Sequence, residues 1–95
     1  MKNKQEIITE VCELLNLRHH YVSSGSTEPR EFLVDVAVAM GYQDLVSGLD
    51  KHEIGKLIVV SIGLPWTKEC ESNGSTVTRA GLNQILAAVK FITAN

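Results

Sequence analysis

The residues best suited to chemistry in this chain come as a matched pair. Gly25-Ser26-Thr27-Glu28-Pro29-Arg30 and Gly74-Ser75-Thr76-Val77-Thr78-Arg79 share Gly-Ser-Thr-x-x-Arg, 49 residues apart. Each precedes a run of helical period. The first amides of a helix lack internal partners and carry partial positive charge, so they attract anions. Ser26, Thr27, Ser75, Thr76 and Thr78 add hydroxyl donors. Arg30 and Arg79 can each grip a phosphate through two parallel hydrogen bonds. These seven residues form a candidate nucleic-acid-binding set. Phosphate contacts of this kind position a protein without reading bases. The plainer alternative is that the same residues cap helices and turn the chain.

The other reactive side chains make weaker patterns. His19, His20 and His52 include two neighbours that diverge on any regular element, and no third ligand stands at a zinc spacing. They read as solvated loop histidines, and no metal or cofactor is expected. Cys70 lies in a polar loop near Lys68, but the sequence pairs it with no base, and an activated thiol needs one. No phosphate loop, dinucleotide fingerprint or hydrolase elbow is present. A non-catalytic chain is therefore expected. Trp66, with Tyr21 and Tyr42, forms a candidate protein interface, because tryptophan is enriched at binding hot spots. Its alternative role is to plug the end of a bundle.

Four amphipathic segments must position these groups. Ile7, Ile8, Val11, Cys12, Leu14 and Leu15 fall mostly on one helical face. Phe32, Leu33, Val36, Ala37 and Met40 form a second stripe that Gly41 stops, with Val34 and Val38 lying off it. Asp50 and Glu53 have the spacing of a capping box, and Leu49 and Ile54 that of a hydrophobic staple. Ile54, Leu57, Ile58 and Ser61 would be that helix's inner face, ended by Gly63 and Pro65. Thr78 caps the last segment, whose stripe is Leu82, Ile85, Leu86, Val89 and Ile92. Gln43 to Ser47 adds a short turn. Ala37 and Gly41 have the spacing of a helix-turn-helix, but the helix after them would hold Asp44 and no base, which argues against it.

Such segments bury their stripes on one another, so the expected fold is all-α, a four- to five-helix bundle. The offset of 49 also aligns Leu33 with Leu82 and Val36 with Ile85, and places Leu57, Val60 and Leu64 on Ile8, Val11 and Leu15. Two helix-loop-helix repeats related by a pseudo-twofold are one reading of this.

With 95 residues, the chain reads as one domain, 1–95. Hydrophobic residues make up 44 % and charged residues 21 %, a globular mix. Only five residues are aromatic, so Leu, Ile and Val carry the core. The net charge is −2 and the bases are scattered, so no basic stripe marks a nucleic-acid footprint. No stretch approaches the roughly 20 apolar residues of a membrane span. The first residues do not form a signal peptide, so a cytoplasmic chain with reduced thiols is expected.

Residues 23–33 (Ser-Ser-Gly-Ser-Thr-Glu-Pro-Arg-Glu-Phe-Leu), Met40-Gly41, Lys56, Gly63, Trp66 and residues 74–82 carry a resemblance. Over residues 23–92 the chain resembles a helical accessory or N-terminal domain of type II restriction endonucleases. It lacks the Pro-Asp…Asp/Glu-x-Lys metal site of such nucleases. The resemblance therefore implies DNA binding or assembly beside a nuclease core, without cleavage. Two functions are carried forward: contact with nucleic-acid phosphates through the paired turns, and a protein-interaction or dimerisation module.

Overall fold

Four helices carry the chain: α1 Lys4–Leu15, α2 Arg30–Ala39, α3 Lys51–Val60 and α4 Arg79–Thr93. The computed structural model describes residues 2–23, 27–72 and 76–94. Among these, the only strand-like feature is a single antiparallel bridge between Glu71 and Val77. The bundle is all-α, as the segment pattern requires. The short turn after α2 is a 3₁₀ turn at Gln43–Leu45, and a second one, Lys68–Cys70, precedes α4. No described helix is long and apolar enough to cross a membrane.

The caps show why these segments become helices. Asp50 and Glu53 form the capping box read from their spacing, with the Asp50 carboxylate accepting from the Glu53 amide at 3.1 Å. Asn3 and Glu6 build the same box at the start of α1. Thr78 accepts from the Gly81 amide and caps α4. The ends of α1 and α3 also match. Leu17 N–H donates to Cys12 O and Leu64 N–H to Val59 O, around Asn16 (φ 56°) and Gly63 (φ +87°). This left-handed cap closes the orphan carbonyls of the last turn.

These equivalences establish the repeat and correct its register. Asn3, Lys4, Glu6, Ile7, Val11, Asn16 and Leu17 correspond to Asp50, Lys51, Glu53, Ile54, Ile58, Gly63 and Leu64, an offset of 47 rather than 49. The second helices keep the offset of 49, since Arg30 and Arg79 each open a helix. The connection inside the second half is two residues longer and holds the Lys68–Cys70 turn. Helix α1 packs mainly on α4, and α2 on α3, so each half lends its first helix to the second helix of the other.

The core runs through Ile7, Ile8, Val11, Phe32, Leu33, Val36, Ile54, Ile58, Leu82, Ile85 and Val89, all fully buried. Two stripes are rotated from those read in the sequence. Leu14 is exposed, and α3 buries Gly55 and Val59 while Leu57 is half-buried and Ser61 exposed. Where the first half has Ile8 and Phe32, the second has Gly55 and Gly81. A Cβ on Gly55 would lie 2.8 Å from Trp66 Cη2, so the indole fills the space that the glycine leaves.

Candidate functional site

The described residues that flank the two Gly-Ser-Thr stretches bond alike, in a reciprocal exchange. Ser23 N–H donates to Thr27 O at 2.9 Å, and Ser72 N–H to Thr76 O at 3.0 Å. Beyond them, Lys51 Nζ donates to Glu28 O at 2.7 Å, and Lys4 Nζ to Val77 O at 3.0 Å. Lysine at the start of each first helix thus holds the carbonyl just ahead of the other half's second helix. Glu28 ties the halves further. Fully buried, it accepts from Val77 N–H at 2.5 Å, and Lys4 Nζ stands 4.0 Å from its other oxygen.

The two arginines are not equivalent. Arg30 turns onto its own chain: Nη1 donates to Leu49 O at 2.5 Å and Nη2 to Val46 O at 3.4 Å. Its fork therefore holds residues 46–49 in place, although the residue remains exposed. Arg79 is exposed and makes no hydrogen bond or ion pair among the described residues. It lines a cavity of about 470 Å³ with Asn3, Lys4, Gln5 and Val22. The pair of outward guanidiniums expected from the sequence is thus reduced to one, because a turn of the chain supplies Arg30 with acceptors.

The hydroxyls of Thr76 and Thr78 are engaged as well. Thr78 Oγ1 donates to Glu69 O at 2.5 Å while it caps α4. Thr76 Oγ1 is bonded to Ser72 Oγ. The Thr27 carbonyl accepts from Ser23 N–H. Ser26 and Ser75 lie outside the described residues.

Trp66 packs half-buried on the core, with Nε1 donating to Glu71 Oε2 at 2.6 Å. It acts as a plug over Gly55. Tyr42 packs against the core and Tyr21 is exposed, so the three aromatics do not share one surface role.

Sequence reasoning placed His20 on the surface, but it is buried. Its Nε2 lies 2.7 Å from Asp35 Oδ2, its ring meets Phe32 edge-on, and Gln5 Nε2 donates to its carbonyl at 2.9 Å. Arg18 Nε also donates to Asp35, at 3.1 Å. Burial raises the Asp35 pKa, but the hydrogen bonds from His20 and Arg18 outweigh it, and the carboxyl sits below its ordinary value. Cys12 is fully buried, and burial pushes its thiol above its usual range. Cys70 is buried beneath Gly81, not set in an open polar loop. No cluster of three ionisable metal ligands occurs among the described residues.

A cavity of about 650 Å³ lies along α3. Leu49, Leu57 and Val60 give it apolar walls, His52 lines it, and Lys56 and Glu71 add charge. Val60 is 49 % exposed there. No signal in the sequence marked this groove beyond Val60, which lies off the expected stripe of α3. Comparison with family models, curated proteins and solved structures finds no match to this chain. The resemblance to helical domains of restriction endonucleases rests on the residues quoted for it.

Proposed function

We propose that this domain is a non-catalytic interaction module that docks on a partner protein. The observation that carries this reading is the groove along α3, where Leu49, Leu57 and Val60 line a cavity of about 650 Å³. Apolar side chains left in contact with water on a concave surface mark recognition sites when a few charged groups stand beside them. Both cysteines are buried, and burial raises the Cys12 thiol above its usual range, which disfavours a reactive thiolate there. The groove can be tested by selecting binders from a random displayed-peptide library against the folded domain. Val60→Asp should weaken the selected ligands at least tenfold while leaving the helical circular-dichroism signal intact. Ligands indifferent to Val60→Asp and Leu57→Asp would overturn the reading.

Contact with nucleic-acid phosphates is the second proposal, and Arg79 beside Lys4 is the observation in its favour. It has lost Arg30, and it works against a net charge of −2. Its signature is a fall in affinity of about 0.9 log units per log unit of salt for each phosphate neutralised. An oligonucleotide that binds with such a slope, and loses it in Arg79→Ala, would establish this reading.

A further inference from the structure

We infer that the groove along α3 receives an amphipathic helix of the partner protein, its apolar stripe on Leu57 and Val60 and an acidic side chain on Lys56. This rests on the protein-partner reading and adds the form and the charge of what docks. The first half of the molecule shows what the fold itself asks of this surface. By the offset of 47, Leu49, Lys56, Leu57 and Val60 correspond to Lys2, Thr9, Glu10 and Glu13. All four counterparts are polar, yet α1 forms the same capped helix as α3. The fold therefore does not need apolar side chains at 49, 57 and 60. What stands over these positions differs as well. Glu10 is met by Lys2 and, at 3.2 Å, by Lys90 of α4. By the offset of 49, Lys90 corresponds to Gly41. Helix α4 carries Lys90 past the point at which α2 stops, since α2 has 10 residues and α4 has 15. The chain turns at Gly41 (φ 90°), and a Cβ there would meet nothing within 4 Å. The helix that reaches over α1 thus stops short over α3, and Leu57 and Val60 face the groove.

The shape of the groove selects a helix. Residues from Leu49 to Ser61 line it, so it follows the whole of α3, about 15 Å at the usual rise. A helix laid lengthwise fills such a groove with one stripe of side chains. An extended peptide would instead need a sheet edge to join. The only strand-like feature among the described residues is the single Glu71–Val77 bridge. The charge of the occupant follows from what is already paired. Glu53 is taken up by its capping box, and Glu71 accepts from the Trp66 indole at 2.6 Å. Lys56 is exposed and makes no hydrogen bond or ion pair among the described residues. The charge left to be met is positive, and an acidic side chain complements it.

The probe is a labelled synthetic alanine-based helix of about 15 residues, with leucines at i, i+3, i+4 and i+7 and one glutamate beside that stripe. It should bind the whole domain in fluorescence anisotropy and shift the amide resonances of α3. Val60→Asp should weaken it by about tenfold or more. Lys56→Glu should weaken it by about threefold or more, and a probe with lysine in place of its glutamate should recover that loss. A proline in the middle of the probe should abolish binding, because it breaks the helix. No binding, binding that survives the proline, or indifference to Lys56→Glu overturns the inference. Protein docking itself falls separately. Library-selected ligands that need Val60 but tolerate a central proline would keep the docking site and sink the helix. Ligands indifferent to both Val60→Asp and Leu57→Asp would sink both.

Discussion

Glu28 is a buried side chain that ties one half of the chain to the other. It is fully buried, and among the described residues its carboxylate accepts one hydrogen bond, from the Val77 amide, with Lys4 as the nearby charge. A buried carboxylate in that state holds only while its partners stay in place. Glu28→Ala should therefore lower the unfolding free energy by about 3 kcal/mol in urea titration, and Glu28→Gln by less, since the amide oxygen still accepts from Val77. Arg30→Ala should cost about 1–2 kcal/mol by freeing two carbonyls, whereas Arg79→Ala should stay within about 0.5 kcal/mol. Equal costs for the two arginines would contradict the asymmetry of the halves. Asp35 gives a pH test. Its pKa is lowered on folding, so its contribution is complete above its unfolded value, about 3.9, and fades as pH falls through the lower folded value. The thermal midpoints of wild type and Asp35→Asn should differ at pH 5 and converge as pH drops below about 3.9. A difference that grows on acidification would mean that the His20 and Arg18 bonds do not set the shift.

At the level of the elements, short-range chemistry decides where helices start and stop. Asn3→Ala and Asp50→Ala should each cost about 1 kcal/mol, because each removes one half of a capping box. Gly81→Ala should cost more, about 1–3 kcal/mol, since a new Cβ would sit 2.6 Å from the Cys70 carbonyl oxygen, which is backbone and cannot swing away. The Asp50–Glu53 box, the Gly63 stop and the Thr78 cap were legible in the sequence for this reason: each depends on residues within three or four positions. The repeat was visible through Gly-Ser-Thr, but that motif fixes only the second helices. The first helices match at 47, and the two extra residues lie in a loop, where no periodicity counts them. Arg30 and Glu28 were not legible. The role of Arg30 depends on residues 46–49, and that of Glu28 on Val77, 49 positions away. A glutamate and an arginine beside a turn otherwise read as surface groups.

The whole molecule is held together by exchange between its halves, and this sets how it must unfold. Because α1 rests chiefly on α4, and α2 on α3, the first half lacks the main partners of its own helices, whereas α3 packs about as much on α4 as on α2. Isolated helices of 12 or 10 residues are marginal in water, so a chain cut after Leu45 should leave two fragments, the first with little helix in circular dichroism. Mixed together, they should recover most of the native signal as a one-to-one complex in sedimentation. Each fragment alone should pair poorly with its own copy. A pair of first halves would set Ile8 and Phe32 where the native fold has Gly55 and Gly81, and that excess volume has no space to enter. A pair of second halves would bring Glu71 and Trp66 to both ends but would lose Glu28, whose carboxylate takes the Val77 amide. The intact domain should therefore unfold in one transition, with fluorescence of Trp66 in the second half and a probe on α2 in the first reporting the same midpoint. Separate midpoints, or a first fragment that folds alone with native helicity, would show that the two halves are joined repeats and not one interlocked core.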